Sequence, residues 1–152
     1  MQNIATEQIP EINREDGLKI RLIAGEVDGV HGPVSDTFAD PTYMDIAIPA
    51  NGFFSYPIER GHTVFAYVFE GEGVFGADGG QKNETVTHPR LAVLSDTGFF
   101  EARATAPYVR FLLISGKPLK EPIARYGPFV MNTQDEIQQA LRDLKNGTFV
   151  QN

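Results

Sequence analysis

The chain has 152 residues, enough for one domain with a proper hydrophobic core and too few for two full-sized ones. It contains no cysteine, which excludes disulfides, thiol catalysis and thiolate metal sites. A formal charge of −7 with no basic cluster argues against direct binding to nucleic acid or to an acidic membrane surface.

The first residues, MQNIATEQIPEINRED, carry no basic stretch followed by an apolar one. They offer no signal peptide, and no apolar run in the chain is long enough to span a bilayer as a helix. The expected compartment is therefore the cytoplasm. Residues 1–16 are polar, with Pro10 and few apolar anchors, and read as a linker-like arm. Leu18–Ile23 alternates apolar and charged residues and predicts a half-exposed strand. Ala24–Val34 is a glycine-punctuated loop. Tyr43–Ile48 predicts a strand between Pro41 and Pro49, and Asn51-Gly52 a turn leading to another strand over Phe53–Ile58.

The central stretch is Gly61–Gly76, GHTVFAYVFEGEGVFG. Val64–Phe69 is an unbroken apolar run rich in β-branched and aromatic residues, as in a strand buried on both faces. Glu70-Gly71 interrupts it, and Val74-Phe75 predicts a second short strand, giving a hairpin-like unit. Gly71, Gly73 and Gly76 spell G-x-G-x-x-G, the dinucleotide fingerprint. That motif needs a helix opening at the glycines, and Ala77-Asp78-Gly79-Gly80 cannot start one, so the nucleotide reading is rejected. The glycines are assigned instead to a tightly curved β structure.

Ala77–Thr87 reads as a polar loop, Arg90–Leu94 as a strand, and Ser95-Asp96-Thr97-Gly98 as the turn closing it. Phe99–Ala104 and Val109–Ser115 predict two further strands, the second central. Gly116, Pro118, Pro122, Gly127 and Pro128 predict a winding coil over Gly116–Phe129. Thr133 and Glu136 then form a capping box, Ile137, Ala140, Leu141 and Leu144 follow at helical spacing, and Gly147 supplies a stop. Many short strands with glycine and proline turns, and one terminal helix, give an all-β jelly-roll barrel over residues 17–132 with a C-terminal helix over 133–146.

The segment YVFEGEGVFG resembles the first motif of the cupins. HPRLAVLSDTG, and above all RFLLISGKPLKEPIARYGPFVMNTQDEI, resemble the C-terminal half of a pirin, and EQIPEI with DGLKIRLIAGE resembles the start of that half. The resemblance runs from about Glu7 to Phe149. It implies a cupin-type jelly-roll, the double-stranded β-helix. It also implies that a whole pirin has two such domains: the N-terminal one holds a metal, usually iron, through histidines and a glutamate, and the C-terminal one usually lacks it. Family activities include a quercetin dioxygenase reaction and transcriptional co-regulation through protein contacts. No stretch of this sequence resembles the N-terminal domain.

Aligned on Gly71, the cupin ligand positions fall on Ile58, Arg60 and Val64, or by the variant spacing on Pro57, Glu59 and Thr63. Neither set contains a histidine pair, and the three histidines form no H-x-H. Hence no catalytic residue and no complete metal site are assigned, and no cofactor is expected. His62, with Glu101 beside it, is the nearest approach to a metal-binding group; His31 and His88 read as loop or turn residues. The carboxylate pairs Glu70/Glu72 and Asp135/Glu136 read as structural. The aromatic strands predict a filled barrel, the alternative being a small apolar pocket with His62, Tyr67, Glu101 and Arg110 as its polar points. The resulting expectation is a non-catalytic domain that binds a protein or a small ligand, as a homodimer or with a separately encoded pirin-like N-terminal half. The alternative is a metal-dependent dioxygenase of the quercetinase type, using iron or another divalent transition metal.

Overall fold

The structure is a computed structural model in which residues 4–35, 37–76, 84–94 and 98–150 are described. Two compact units divide between Pro118 and Leu119. None of the described helices is long and apolar enough to cross a membrane.

The first unit is built on an eight-stranded sheet. Its strands are β1 (Glu11–Asn13), β2 (Lys19–Ala24), β5 (Thr42–Pro49), β6 (Phe53–Pro57), β7 (Thr63–Gly76), β8 (Glu84–Thr87), β9 (Arg90–Leu94) and β10 (Phe99–Gly116). A two-residue hairpin, β3 (Glu26–Val27) with β4 (Val30–His31), lies apart from it. All named pairings are antiparallel.

Two long strands organise this sheet. The C-terminal half of β10 pairs with β5 and with the start of β7, whose other edge is taken by β9. The N-terminal half of β10 pairs with β6 and with the end of β7, whose other edge is taken by β8. Each long strand thus serves two leaves, and the leaves meet where the register shifts. Residues 105–108 of β10 fall opposite Glu72 alone, and Phe69 is an extra residue opposite the Arg110/Phe111 step. Such irregularities bend a strand and raise its twist. Gly71 sits at this bend with φ of 70°, and a Cβ there would overlap the Tyr108 carbonyl oxygen.

This arrangement corrects two expectations. Residues 63–76 form one bent strand and not a hairpin-like unit, and residues 99–116 likewise form one strand and not two. Glycine in a β-rich segment reads as a turn when only local sequence is considered. Here long partners hold the backbone extended through the bend. The three spaced glycines all lie within β7, in strand and not at a helix start.

The arm is not all linker: Ile12 packs against the core and β1 pairs with β2. The glycine loop at 24–34 carries the β3–β4 hairpin, and Glu84–Thr87 belongs to strand β8. Strands β5 and β6, joined through Asn51-Gly52, both pair with β10. The turn at Ser95–Thr97 and the loop at 77–83 lie outside the described residues.

The interior is filled. Alternate residues of β10 point inward: Phe100, Ala102 and Ala104 from one leaf, Val109, Phe111 and Leu113 from the other. Phe75 meets Phe111 edge-on at 5.0 Å between ring centroids, Phe100 lies 5.7 Å from Phe111, and Phe54 lies 6.2 Å from Phe100. Offset and edge-on rings at these distances add to the stabilisation from burial itself.

The second unit comprises β11 (Ala124–Tyr126), β12 (Phe129–Met131) and α1 (Gln134–Asn146). The hairpin turns at Gly127, φ 55°, inside the stretch expected to be coil. It groups with the helix in the second unit. Ile137 and Ala140 of α1 are buried, and the helix packs on β11 and β12. Phe149 meets Phe129 edge-on at 5.4 Å.

The helix ends follow the sequence. The Glu136 amide donates to Thr133 Oγ1 at 3.2 Å, while Glu136 Oε2 accepts from the Thr133 amide at 2.7 Å and the Asn132 amide at 3.0 Å. Gly147 closes the helix at φ 73°. The Thr133 hydroxyl, which donates to Glu136 Oε2 at 3.0 Å, is the first cause and the Thr133 amide the second in holding the Glu136 carboxyl below the usual carboxylate range.

Four expected outcomes follow from these contacts. Gly71→Ala should lower the urea midpoint by an amount equivalent to at least about 2 kcal/mol, since it adds backbone overlap to left-handed strain. Gly29→Ala, also at positive φ but with open space around it, should cost only about 1 kcal/mol. Equal losses would show that the close approach to Tyr108 is unimportant. Thr133→Ala should cost about 1 kcal/mol in the second unit, read by circular dichroism of thermal unfolding. Because the folded-state pKa of Glu136 is depressed, its contribution is present above the ordinary glutamate range and is lost as pH falls through the lowered value. The helix signal should therefore weaken in acid, modestly, the group being exposed.

Candidate functional site

The inward ladder of β10 changes character at its end. After Val109, Phe111 and Leu113 the next inward residue is Ser115, paired across the sheet with Thr42 of β5, and both are buried. The apolar filling therefore stops and a polar floor begins. Over it lies a cavity of about 530 Å³, walled by the β3–β4 hairpin, the segment leading into β5, and the segment joining β6 to β7.

Each wall is held by backbone bonds. The Gly32 amide donates to Gly25 O at 3.0 Å and the Val34 amide to Ile23 O at 3.1 Å. Tyr56 Oη reaches across the cavity wall to donate to Glu26 O at 3.0 Å. The Lys117 amide donates to Ala39 O at 2.7 Å, and the Asp40 amide to Thr37 O at 3.1 Å. The His62 amide donates to Glu59 O at 3.2 Å, forming the turn that sets both residues at the cavity.

Three donor side chains converge there. Ligand atoms of Asp40, Glu59 and His62 all lie within 4.8 Å of one another. The two carboxylates are exposed, whereas the imidazole is only 7% exposed and lines the cavity.

Of the four residues singled out by sequence, only His62 lines this cavity. Tyr67 alternates with inward Ala66 and Val68 and faces outward, 39% exposed. Glu101 alternates with buried Phe100 and Ala102 and lies on the outer side of β10. Arg110 is also on the outer side. It donates two bonds to Asp45, at 2.8 and 2.7 Å, lies 3.5 Å from Glu70 and stacks 5.0 Å from the Phe69 ring. The Asp45 bonds favour the charged guanidinium and raise its pKa above the ordinary value, against a smaller opposing effect of burial. A separate shallow groove of about 270 Å³ surrounds it, with Lys19 and Arg21 alongside. The expected pocket of His62, Tyr67, Glu101 and Arg110 is thus not assembled, because strand alternation sends its members to opposite faces.

The cupin ligand positions do not suit a metal in the barrel interior. Ile58 and Val64 are buried apolar residues, and the centre is occupied by Phe54, Phe75, Phe100 and Phe111. Neither Ile58 nor Val64 offers the nitrogen or oxygen donor that a non-haem iron takes. The Asp40, Glu59 and His62 group lies instead among the cavity walls. Glu59 and His62 could have been found together from the E-x-x-H spacing. Asp40 joins them only through the fold.

Comparison with known proteins agrees with this architecture. Residues 43–150 match the model of the pirin C-terminal cupin domain. Human pirin is 35% identical over 146 residues, covering 95% of this chain and 49% of that protein. A Pseudomonas aeruginosa protein with a provisional quercetin 2,3-dioxygenase name is 39% identical over 150 residues, 96% of this chain and 51% of its own length. The crystal structure of an Acinetobacter baumannii quercetin 2,3-dioxygenase superposes with a TM-score of 0.83 at 35% identity, covering 97% of this chain and 50% of that one. The chain thus spans about half the length of these relatives. Most of its length matches the pirin C-terminal cupin domain, and it belongs to the pirin family.

Proposed function

We propose that this chain is a non-catalytic pirin-like cupin domain that works by docking on a second β domain. The observation that carries the reading is the outer face of its sheet. Across four strands, Tyr43, Ile114, Phe65 and Val93 stand in register, and in the next row Leu112, Tyr67 and Leu91 follow Asp45, which Arg110 holds in an ion pair. Leu91 is 55% and Val93 71% exposed. A sheet apolar on both sides needs cover on both, and a contiguous apolar patch of this kind marks an interaction surface. A second copy of the chain is the occupant we favour, since one self-complementary face closes a two-fold dimer. The length of the relatives, about twice that of this chain, supports a domain that works beside another.

Light scattering after gel filtration tests this directly. The expected result is a dimer at micromolar concentration that becomes monomeric in the double variant Leu91→Lys, Val93→Lys. Both positions are exposed, so the fold should be kept. A monomeric parent chain would overturn the dimer, and co-purification with a separate cupin domain instead would move the same face to that partner.

The dioxygenase reading draws its support from the names of the relatives and from the Asp40, Glu59 and His62 group. Quercetin consumption and oxygen uptake should stay at the buffer rate with iron, copper, nickel or manganese supplied in turn. Turnover abolished by His62→Ala would establish the enzyme instead.

A further inference from the structure

We propose that Asp40, Glu59 and His62 form a divalent transition-metal site in the wall of the polar cavity, outside the barrel interior. The inference does not rest on the docking face described above. It begins with the imidazole. His62 is more than nine-tenths buried and lines the cavity, yet its ring nitrogens make no hydrogen bond among the described residues. Glu59 Oε2 lies 3.8 Å from His62 Nε2, beyond hydrogen-bond reach. Among the described residues no fully buried side-chain nitrogen or oxygen lacks a hydrogen-bond partner, so an imidazole nitrogen without one opens on the cavity, where a ligand can reach it.

The two carboxylates supply the second reason. Asp40 and Glu59 come from separate segments, one before β5 and one before β7, and are brought together with His62 so that all donor atoms fall within 4.8 Å. Carboxylates placed side by side repel, and a cation between them removes that repulsion. Metal–nitrogen and metal–oxygen bonds of about 2.0–2.2 Å bring neighbouring donors to roughly 3 Å apart, so closure needs less than about 2 Å of side-chain movement. The exposed Asp40 and Glu59 side chains are free to make it.

The donor set also selects the metal. One imidazole and two carboxylates, with no thiolate, suit manganese, iron, cobalt or zinc, and the imidazole disfavours calcium and magnesium. Three protein donors leave coordination positions open. The cavity offers them the hydroxyl-bearing residues Thr42, Tyr56 and Ser115, so water or a small oxygen ligand completes the sphere.

Calorimetric titration of the chelator-stripped chain with manganese(II) and with zinc(II), supported by the manganese electron paramagnetic resonance signal, decides the point. The expected result is about one ion per chain, with affinity at least about tenfold weaker in Asp40→Asn and in Glu59→Gln, a loss that even outer partners of metal ligands produce. These exposed positions spare the fold, and His62→Ala should abolish binding while circular dichroism confirms its structure. Glu101→Gln, on the outer side of β10, should bind as the parent does. Failure of the parent to bind either ion, or full binding by Asp40→Asn and Glu59→Gln, would overturn the site. Binding without quercetin turnover leaves the docking reading intact, so the two fail separately.

Discussion

The close approach of Gly71 to the Tyr108 carbonyl is the constraint on which the first unit depends. Two strands of 14 and 18 residues would run as one uninterrupted twisted ribbon if both stayed in register. An extra residue at Phe69 and the four-residue excursion at 105–108 break that register twice within a short stretch. A side chain at residue 71 would fill the space the bend requires. Once the bend is made, β5 and β9 flank one half of the strand pair, and β6 and β8 flank the other. The inner faces then meet through Phe75, Phe100 and Phe111.

The same closure separates filling from chemistry. Aromatic rings pack at the level of the bend, where a barrel of this size has just room for side chains. Polar residues gather past Leu113, where Ser115 and Thr42 replace the apolar ladder. A bound group therefore has a place only among the loops and turns that feed the strands. Asp40, Glu59 and His62 all lie in such segments, just before β5 and β7. Rigid strands with donors on the flanking connections are a common division of labour in binding proteins.

Much of the fold was legible because strand alternation and capping are local. Thr133, Glu136 and Gly147 set the helix ends where the sequence placed them, and Arg90–Leu94 is strand over those same residues. The resemblance of PLKEPIARYGPFVMNT to pirins pointed to the family that the comparisons then showed. The long strands were not legible: Gly71, or the Ala-Pro-Tyr run at 106–108, reads as a break unless the partner strand is known. The site was half legible. His62 drew attention as a lone histidine beside the missing motif, but Tyr67, Glu101 and Arg110 were grouped with it by chemistry alone. Parity along β7 and β10 decides their placement, and all three fall on the outward phase. Asp40 lies 22 positions before His62, and no periodicity links them.

Parity also explains how one strand serves three purposes. Along β7 the even residues Val64, Ala66 and Val68 are buried in the core, while Phe65 and Tyr67 stand on the outer face with Leu112 and Ile114. His62 continues the inward phase one step before the strand starts, which is why it is buried yet meets the cavity instead of the aromatic core. A one-residue slip of this strand would exchange every role: core residues would become outer face and Thr63 would take the inward position. The register of β7 against β10 therefore fixes both the apolar face available for docking and the imidazole available to a metal. The long pairing between those strands, anchored at both ends of the bend, is what holds that register.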